Sequence, residues 1–499
     1  MLVGWRRLVL AAVLGTACAA AQETHEHPVP EKLGRVSFAT SCSPSVQPEF
    51  NRAVALLHSF AYGAAEKAFQ DVASRDPRCA MAHWGVAMTY FHQLWEPAIS
   101  PDAIAKGKQQ IEEAERIGAS TDRERAFIRS AATVFENGST VPYATRAANY
   151  EDAMAVLAAK NKDVESQVFY ALALLANAPP IDKTHALQKK AAGLLEPLYV
   201  ANPEHPGIPH YLIHAYDNSE LASRGLPAAR AYSKIAPSAP HALHMPSHIF
   251  TRLGLWDDSI ASNLAASEAA RKSGDIGEQL HAMDYLVYAY LQSGQDEDAA
   301  GVIEQLRAMQ NLNAGNFKVG YAATAMPIRY LVERGQWDQA AQIVPPSSAP
   351  PHVIAIAVWA RGLGLARSGH AEDSQREVQS LQRIQQQLQS SGNSYWATQV
   401  GILKREVMAW SSQARGKQQE ALIMLREAAD EEDSVEKLPV TPGPIIPARE
   451  QLGDMLLAQG QPELAAKEFD VALASSPGRR GALRGVSECA QRLSANKRD

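Results

Sequence analysis

Histidine is distributed unevenly along this sequence, and six of its fifteen copies fall in two short runs. The runs are residues 205–217, "HPGIPHYLIHAYD", and residues 240–250, "PHALHMPSHIF". Neutral imidazole binds zinc, copper, iron and nickel, and two histidines four residues apart on a helix can bring two nitrogens to one ion. The two runs therefore predict a site for a transition metal, with copper, zinc and iron as the candidates.

The spacing within each run places the ligand side chains on one face of a helix. Positions i, i+4 and i+7 share a face, and so do positions i, i+3 and i+7. The side chains with these spacings, which we predict as metal ligands, are His210, His214, Asp217, His241, His244 and His248. They exceed the four ligands of a closed zinc site, which leaves room for two ions or for one ion with outer partners.

Three further residues are predicted to surround these ligands. His205 precedes a proline and belongs to the loop that approaches the first helix, whereas His281 and Asp284 lie on a later helix with the same three-residue spacing. We predict all three as outer partners of the site, and His58 as an ordinary core residue. The alternative for the histidines is structural, with each ring donating a hydrogen bond to a carbonyl at one nitrogen and accepting one at the other.

Much of the sequence repeats a pattern of two apolar-periodic helices joined by a glycine turn. The predicted turns, which follow one another at 34 to 47 residues, are Gly254, Gly294, Gly335, Gly369, Gly416 and Gly460. This spacing is typical of helical solenoids, in which each helical pair packs on the next. The glycine turns, the alanines that follow them and the proline that closes "ALASSP" resemble tetratricopeptide (TPR) repeats, most clearly over residues 240–345 and 447–480.

The resemblance implies an all-α, right-handed solenoid of TPR-like helical hairpins whose first helices line a concave face. The blocks "ALLHSFAYGAAEKAFQDVASRDPRCAMAHWGVAM" and "HMPSHIF" are also similar to a group of exported bacterial TPR-like proteins. The predicted divisions are a signal peptide (1–21), a flexible N-terminal arm (22–46), divergent helical repeats (47–239), TPR-like repeats (240–345), further helical repeats (346–429), a proline-rich acidic loop (430–449) and a C-terminal repeat with its cap (450–499).

The predicted loop at 430–449, "DEEDSVEKLPVTPGPIIPAR", is too long and too rich in proline for a tight turn between repeats. Long loops inside compact arrays often have a function. We therefore interpret this loop as a flap that folds over the concave groove, with a solvated connector as the alternative.

The N-terminus resembles a secretory signal peptide, with two arginines, an apolar run and small residues ending at Ala21. It predicts export to the periplasm or the exterior. Lipoprotein anchoring at Cys18 ranks lower, because the residues before it make a poor lipobox. Cys42 and Cys79 are the nearest remaining pair in the sequence. We predict a disulfide between them in an oxidising compartment, with free thiols as the alternative.

Composition and motifs narrow the function without fixing it. A formal net charge of −6 argues against nucleic acid as a partner, and no later segment has the apolar length of a membrane span. The sequence contains no nucleophile elbow, phosphate loop or CxxC motif. Two functions remain open: a metal site that delivers metal or catalyses hydrolysis or oxidation, and a non-enzymatic adaptor whose groove binds a peptide, a protein or a small molecule.

Overall fold

The protein is α-helical wherever its computed structural model describes regular structure, and the described residues are 31–94, 99–138 and 140–496. The helices up to residue 252 are α1 (Gln47–His58), α2 (Tyr62–Arg75), α3 (Ala80–Met88), α4 (Pro101–Ile117), α5 (Asp122–Phe135), α6 (Tyr143–Lys160), α7 (Val164–Ala176), α8 (Ala186–Ala201), α9 (Gly207–Tyr216), α10 (Ala222–Ile235), α11 (Pro240–His244) and α12 (Pro246–Arg252). The later helices are α13 (Trp256–Ser273), α14 (Ile276–Ser293), α15 (Asp296–Ala308), α16 (Phe317–Glu333), α17 (Trp337–Ala340), α18 (Pro351–Arg367), α19 (Gln375–Ser390), α20 (Ser394–Ala414), α21 (Gln418–Asp433), α22 (Ala448–Ala458), α23 (Pro462–Ser475) and α24 (Arg480–Asn496). The predicted signal peptide, and residues 22–30 of the predicted arm, lie outside the described residues.

Consecutive helices pack against each other, and helices two apart in the chain also touch. Contacts of α7 with α9, α14 with α16 and α18 with α20 form an inner layer. In this layer α14 is buried almost continuously from Leu280 to Gln292. The result is an all-α array of stacked helical pairs, which confirms the predicted fold class. Within the described ranges, no helix is both long enough and apolar enough to cross a membrane.

The turns between the helical pairs depend on glycine. All six glycines predicted as turns have φ between 65° and 92°: Gly254, Gly294, Gly335, Gly369, Gly416 and Gly460. This left-handed region is open to glycine and costly for residues that carry a Cβ atom. The position of each of these glycines in the sequence therefore indicates where a helix ends.

The C-terminal repeats contact the middle of the array. Trp256, at the start of α13, donates a hydrogen bond from Nε1 to the carbonyl of Gly478 at 3.2 Å. The next residue, Arg479, is fully buried and forms ion pairs with Glu333 at 2.9 Å and with Glu450 at 2.6 Å. Two carboxylates offset the cost of burying this guanidinium. The end of the array is thereby fixed to α13 and α16.

Residues 32–46, which belong to the predicted flexible arm, pack against the first helices. Phe38 is fully buried, and its ring centroid lies 5.4 Å from that of Trp84. A disulfide joins Cys42 to Cys79, the pair that the sequence suggests. This part of the arm is fixed rather than flexible, because aromatic contacts and a covalent bond hold it.

The loop between α21 and α22 covers residues 434–447, a shorter stretch than the predicted 430–449 because both flanking helices extend into it. It lies against the inner layer, and Val440 is buried. The hydroxyl of Tyr285 on α14 is 3.1 Å from the carbonyl oxygens of both Pro439 and Thr441. The loop is thus packed on α14 and is not a solvated connector at these residues, and its action as a flap stays a prediction.

Candidate metal centre

Three histidines from two helices bring their Nε2 atoms together. His210 and His214 lie one turn apart on α9, and His241 lies on α11. The Nε2 atom of His210 is 3.2 Å from that of His214 and 3.2 Å from that of His241. We call these three residues group A. One ligand atom from each lies within 4.8 Å of the other two, so the group can hold one metal ion.

Hydrogen bonds at the opposite ring nitrogens orient group A. Nδ1 of His210 donates to the backbone carbonyl of His58 at 2.6 Å. Nδ1 of His241 donates to Oε2 of Glu278 at 3.0 Å, because a carboxylate only accepts, and Lys318 pairs with the same carboxylate. With Nδ1 protonated, Nε2 of each neutral ring carries the lone pair and faces the centre of the group.

A second group of three, group B, consists of His244 on α11, His248 on α12 and His281 on α14. Nε2 of His244 lies 3.0 Å from Nε2 of His248, and the ring centroids of His244 and His281 are 4.3 Å apart. Nδ1 of His244 donates to Oδ1 of Asn263 at 2.7 Å, and Nδ1 of His248 donates to Oδ2 of Asp217 at 2.9 Å. The Nε2 atoms of these two rings therefore also carry lone pairs.

The close Nε2 contacts lack the donor that hydrogen-bonded packing of histidines would supply. His210 Nε2 faces His241 Nε2 at 3.2 Å, and His244 Nε2 faces His248 Nε2 at 3.0 Å, although each of these four nitrogens is an acceptor. Two lone pairs at this distance repel unless a proton or a metal cation lies between them. If these histidines only packed the core, each Nε2 atom would need a hydrogen-bond donor as its partner. In these two pairs the partner of each Nε2 atom is another acceptor.

Burial favours the neutral form of five of these rings. It lowers the pKa of His210, His214, His244 and His281 well below the usual 6.5, and neighbouring histidines lower it further. Burial also lowers the pKa of His248 to about 4, although its hydrogen-bonded carboxylate opposes the shift. A proton is therefore a poor bridge between the facing nitrogens at neutral pH, whereas the neutral ring is the form that binds metal.

Groups A and B lie side by side, and we call the six residues the histidine cluster. Ring centroids of the two groups are 6.0 Å apart for His214 with His248 and 6.1 Å apart for His241 with His244. The sequence pattern predicted one face of a single helix for His241, His244 and His248. Instead the chain forms two short helices, because Pro246 has no N–H to continue α11. His241 thereby joins group A, whereas the other two join group B.

Three other predicted residues have positions that differ from the expectation. His281, predicted as an outer partner, belongs to group B. Asp217, predicted as a ligand, stands behind His248 and accepts its Nδ1 proton. Asp284 faces Arg329 at 3.6 Å, and burial raises the pKa of its carboxyl to about 6. Asp284 therefore pairs with Arg329 of α16 and does not join the histidines, although it has the spacing of a residue on the same face as His281.

His205, the last predicted outer partner, shares the Glu165 carboxylate with His58. Nε2 of His58 lies 2.9 Å from Oε2 of Glu165, and Nε2 of His205 lies 3.0 Å from Oε1. The hydroxyl of Tyr211 is 2.9 Å from Nδ1 of His58. These side chains are also close enough to share an ion, but both carboxylate oxygens already accept from the rings. Glu165 and His205 hold the side chain of His58, whose backbone carbonyl orients His210. The sequence pattern did not indicate this role of His58.

Phe60 covers group A and has an unusual backbone. Its ring centroid lies 4.5 Å from that of His210 and 5.3 Å from that of His241. Its φ is 53°, in the left-handed region that bulky residues rarely adopt. Such strain persists only where the surrounding structure enforces it, and it is common at functional sites. Nothing in the sequence pattern pointed to Phe60.

The loop 434–447 reaches the histidine cluster through Asp217. Lys437 donates from Nζ to Oδ2 of Asp217 at 2.9 Å, and Arg252 donates from Nε to Oδ1 at 2.8 Å. Burial disfavours the charged carboxylate, but Lys437 and Arg252 hold the pKa of Asp217 well below its usual range. The loop is therefore connected to group B by two successive contacts, Lys437 to Asp217 and Asp217 to His248.

A cavity of about 440 Å³ lies beside the same loop. Its lining includes Lys437, Arg252, Trp359 and Glu406 but none of the six histidines of the cluster. Burial raises the pKa of Glu406 to about 8, although Trp359 donates a hydrogen bond to this carboxyl at 2.6 Å. Because Lys437 and Arg252 both bind Asp217, the cavity wall is linked to the cluster without opening onto it.

Comparisons with known proteins identify neither a family nor a function for this chain. No family model matches the chain, and a search of curated proteins gives no significant match. Among solved structures, the chain is similar to the TPR domain of P58(IPK), with 11% identity and a TM-score of 0.24 over 91% of this chain and 100% of that one. It is also similar to human IFIT1, in its dimer with m7Gppp-AAAA, with 10% identity and a TM-score of 0.36 over 84% of this chain and 90% of that one. Similarities this low indicate nothing about a ligand or an activity.

Proposed function

We propose that this protein binds two transition-metal ions in the histidine cluster, one in group A and one in group B. The observation that carries the proposal is the pair of facing, lone-pair-bearing nitrogens in each group. Two imidazole nitrogens bound at about 2.0–2.1 Å to one tetrahedral ion are roughly 3.3 Å apart. The Nε2 distances of 3.0 and 3.2 Å are close to this value.

Copper is the ion that the cluster suits best. All six ligand side chains are imidazoles, and hard ions such as magnesium, calcium and manganese prefer carboxylate and carbonyl oxygens. Among divalent ions at nitrogen sites, affinity rises to a maximum at copper. Zinc and iron also accept imidazole, and they are the alternatives that metal analysis separates.

The carboxylates of the site stand one hydrogen bond behind the ligands. Glu278 accepts from His241 in group A, and Asp217 accepts from His248 in group B. A carboxylate in this position fixes the tautomer of a metal-bound histidine and makes its second nitrogen a stronger ligand. One such carboxylate serves each group, which supports two ions rather than one.

Each proposed ion has three protein ligands, whereas a closed structural site has four. An ion with three protein ligands keeps a position for a small molecule, which is the property of catalytic metal sites. The proposed function is therefore that of a metalloenzyme rather than a metal store. We also propose that it acts outside the cytoplasm, in keeping with the signal-like N-terminus and with a disulfide, which persists in oxidising compartments.

A non-enzymatic adaptor has less support. An adaptor of this fold would bind an extended peptide along the inner layer. Beside the cluster, that layer is covered by the loop 434–447, whose Lys437 side chain is 8% exposed. A peptide would have to displace the loop before reaching the histidines.

The test is the metal content of protein purified without a histidine tag. After loading with copper or zinc and dialysis, we expect two ions per chain by elemental analysis. His83→Ala is a matched control, since His83 is a partly buried histidine on α3 that binds Gln110, outside the cluster. It should retain two ions. A wild-type protein that retains no ion, and whose thermal midpoint ignores copper, zinc and iron, would contradict the proposal.

A further inference from the structure

We infer that the histidine cluster, when each group holds one Cu(I) ion, binds dioxygen as a ligand shared by both ions and reduces it by two electrons. This inference rests on the proposed function and names the small molecule that occupies the remaining positions on the ions. The structural basis is the juxtaposition of groups A and B, the neutral character of their ligands and the closed surroundings of the cluster.

The two groups are close enough to act on one small molecule. Neighbouring rings across the boundary, His214 with His248 and His241 with His244, have centroids 6.0 and 6.1 Å apart. Within each group the Nδ1 hydrogen bonds point outward, to the His58 carbonyl and to the side chains of Glu278, Asn263 and Asp217. The opposite nitrogens of these four rings are therefore directed into the cluster, where a diatomic molecule would lie between the two ions.

The ligand set fits copper. Imidazole nitrogens bind copper, and three of them on each ion leave a position for a small molecule. The carboxylates of Glu278 and Asp217 stand one hydrogen bond further out. There they compensate the charge of the oxidised ions without binding them.

The two Cu(I) ions of the cluster supply both electrons that the reduction of dioxygen to peroxide needs. Each of the two Cu(I) ions gives one electron to the same dioxygen molecule. Both ions become Cu(II), and dioxygen becomes peroxide that bridges them. No proton is taken up and no further reductant is needed, so the step reverses when dioxygen is removed. A single ion supplies only one of the two electrons, which is why both groups are required.

The surroundings select a small, uncharged molecule. Phe60 packs over His210 and His241, and the Tyr285 ring lies 4.9 Å from that of His248. The cavity of about 440 Å³ beside the loop is lined by none of the six histidines. A large or charged substrate would need the loop to move, whereas dioxygen is apolar and has two atoms. A small, apolar molecule such as dioxygen is therefore favoured over a large or charged one at this closed site.

The experiment is an anaerobic titration of the full chain with Cu(I), followed by dioxygen. Copper per chain is measured first, and oxygen uptake is then measured with an electrode. We expect two copper ions per chain and one dioxygen molecule per two coppers. The oxidised protein should give no paramagnetic resonance signal, because two Cu(II) ions that share a bridging ligand couple magnetically.

Variants separate the inference from a simple copper site. His281→Ala removes one ligand of group B and should abolish oxygen uptake while leaving one copper in group A, and His83→Ala should behave as the wild type. A chain that holds two Cu(I) ions but takes up no dioxygen, or that gives a resonance signal equal to its whole copper content after oxidation, contradicts the inference alone. A chain that never holds two Cu(I) ions contradicts the proposed function as well.

Discussion

His241 and His244 are three residues apart on α11, their ring centroids are 6.1 Å apart, and His241 belongs to group A whereas His244 belongs to group B. His241 Nε2 faces His210 of α9, whereas His244 Nε2 faces His248 of α12. One short helix thus contributes a ligand to each group. Since α11 is shared, the positions of the two groups relative to each other are fixed by the backbone of five residues.

This relationship predicts how histidine substitutions combine. His210→Ala and His214→Ala each remove a ligand of group A and should each reduce the metal content from two ions to one. The double variant should still hold one ion, because both residues act on the same ion. Combining His214→Ala with His244→Ala should instead remove both ions. Elemental analysis of dialysed variants measures the number of ions per chain. If the two double variants lose the same number of ions, the six histidines form one shared site.

Much of this arrangement could be predicted from local sequence. The four-residue spacing of His210 and His214 was sufficient to place both nitrogens together, because one helical turn sets their distance. The glycine turns were equally local, since Gly254 and Gly294 are needed for the left-handed backbone that ends a helix. Local spacing therefore gave the fold class and five of the six histidines.

The orientation of the histidines and their division between groups A and B depend on tertiary contacts that no local pattern encodes. The partner of His241, Glu278, is 37 residues away in the chain, and the partner of His210, the carbonyl of His58, is 152 residues away. The division of residues 240–250 into α11 and α12 was also not predictable, because the effect of Pro246 on the helix depends on where the neighbouring helices lie. For Asp217, helical spacing alone gave the wrong role. It has the spacing of a ligand, but it lies at the end of α9, where the basic side chains of Arg252 and Lys437 hold it.

The outer carboxylates should tune affinity without being ligands. Glu278→Gln removes the negative charge behind His241 but keeps a side chain of the same size. We expect the affinity of group A to fall by about 10- to 100-fold while group B is unchanged. Competition with a chelator of known affinity measures the loss. Glu268→Gln, at an exposed residue of α13, is the control and should have no effect. Equal affinities in the two variants would contradict this role for Glu278.

The loop should control how fast metal leaves the cluster. Lys437→Gln removes the contact to Asp217 but leaves Arg252 in place to neutralise that carboxylate. We expect metal release to a chelator to be several-fold faster, with little change in the helical signal, because Lys437 links the loop to group B through Asp217. Lys404→Gln, on α20, is the control since Lys404 binds Gln382 and Gln385 instead of the loop. If both variants release metal at the wild-type rate, the loop does not act as a cover.

Glu406 should make the free energy of unfolding depend on pH. Burial raises the pKa of its carboxyl from 4.5 to about 8, so between these pH values the folded protein holds a proton that the unfolded chain has released. Stability from this group is therefore complete below pH 4.5 and is lost as the pH rises to about 8.

Glu406→Gln keeps the neutral form of that side chain at every pH. We expect it to raise the melting temperature at pH 8 relative to the wild type, and to have a smaller effect at pH 5. Glu427→Gln, at an exposed residue of neighbouring α21, serves as the control and should follow the wild type at both values. Thermal unfolding of the metal-free proteins across this range measures the difference. A wild type and a Glu406→Gln variant with parallel pH profiles would show that Glu406 ionises normally.

The most direct test of the two-ion centre is anomalous diffraction from crystals of the copper-loaded full chain, recorded above and below the copper absorption edge. We predict two peaks. One lies between the Nε2 atoms of His210, His214 and His241, and the other lies at His244, His248 and His281. Asp217 and Glu278 should remain outside the coordination of both. A single peak shared by the six histidines, or copper bound only elsewhere on the chain, would contradict the account.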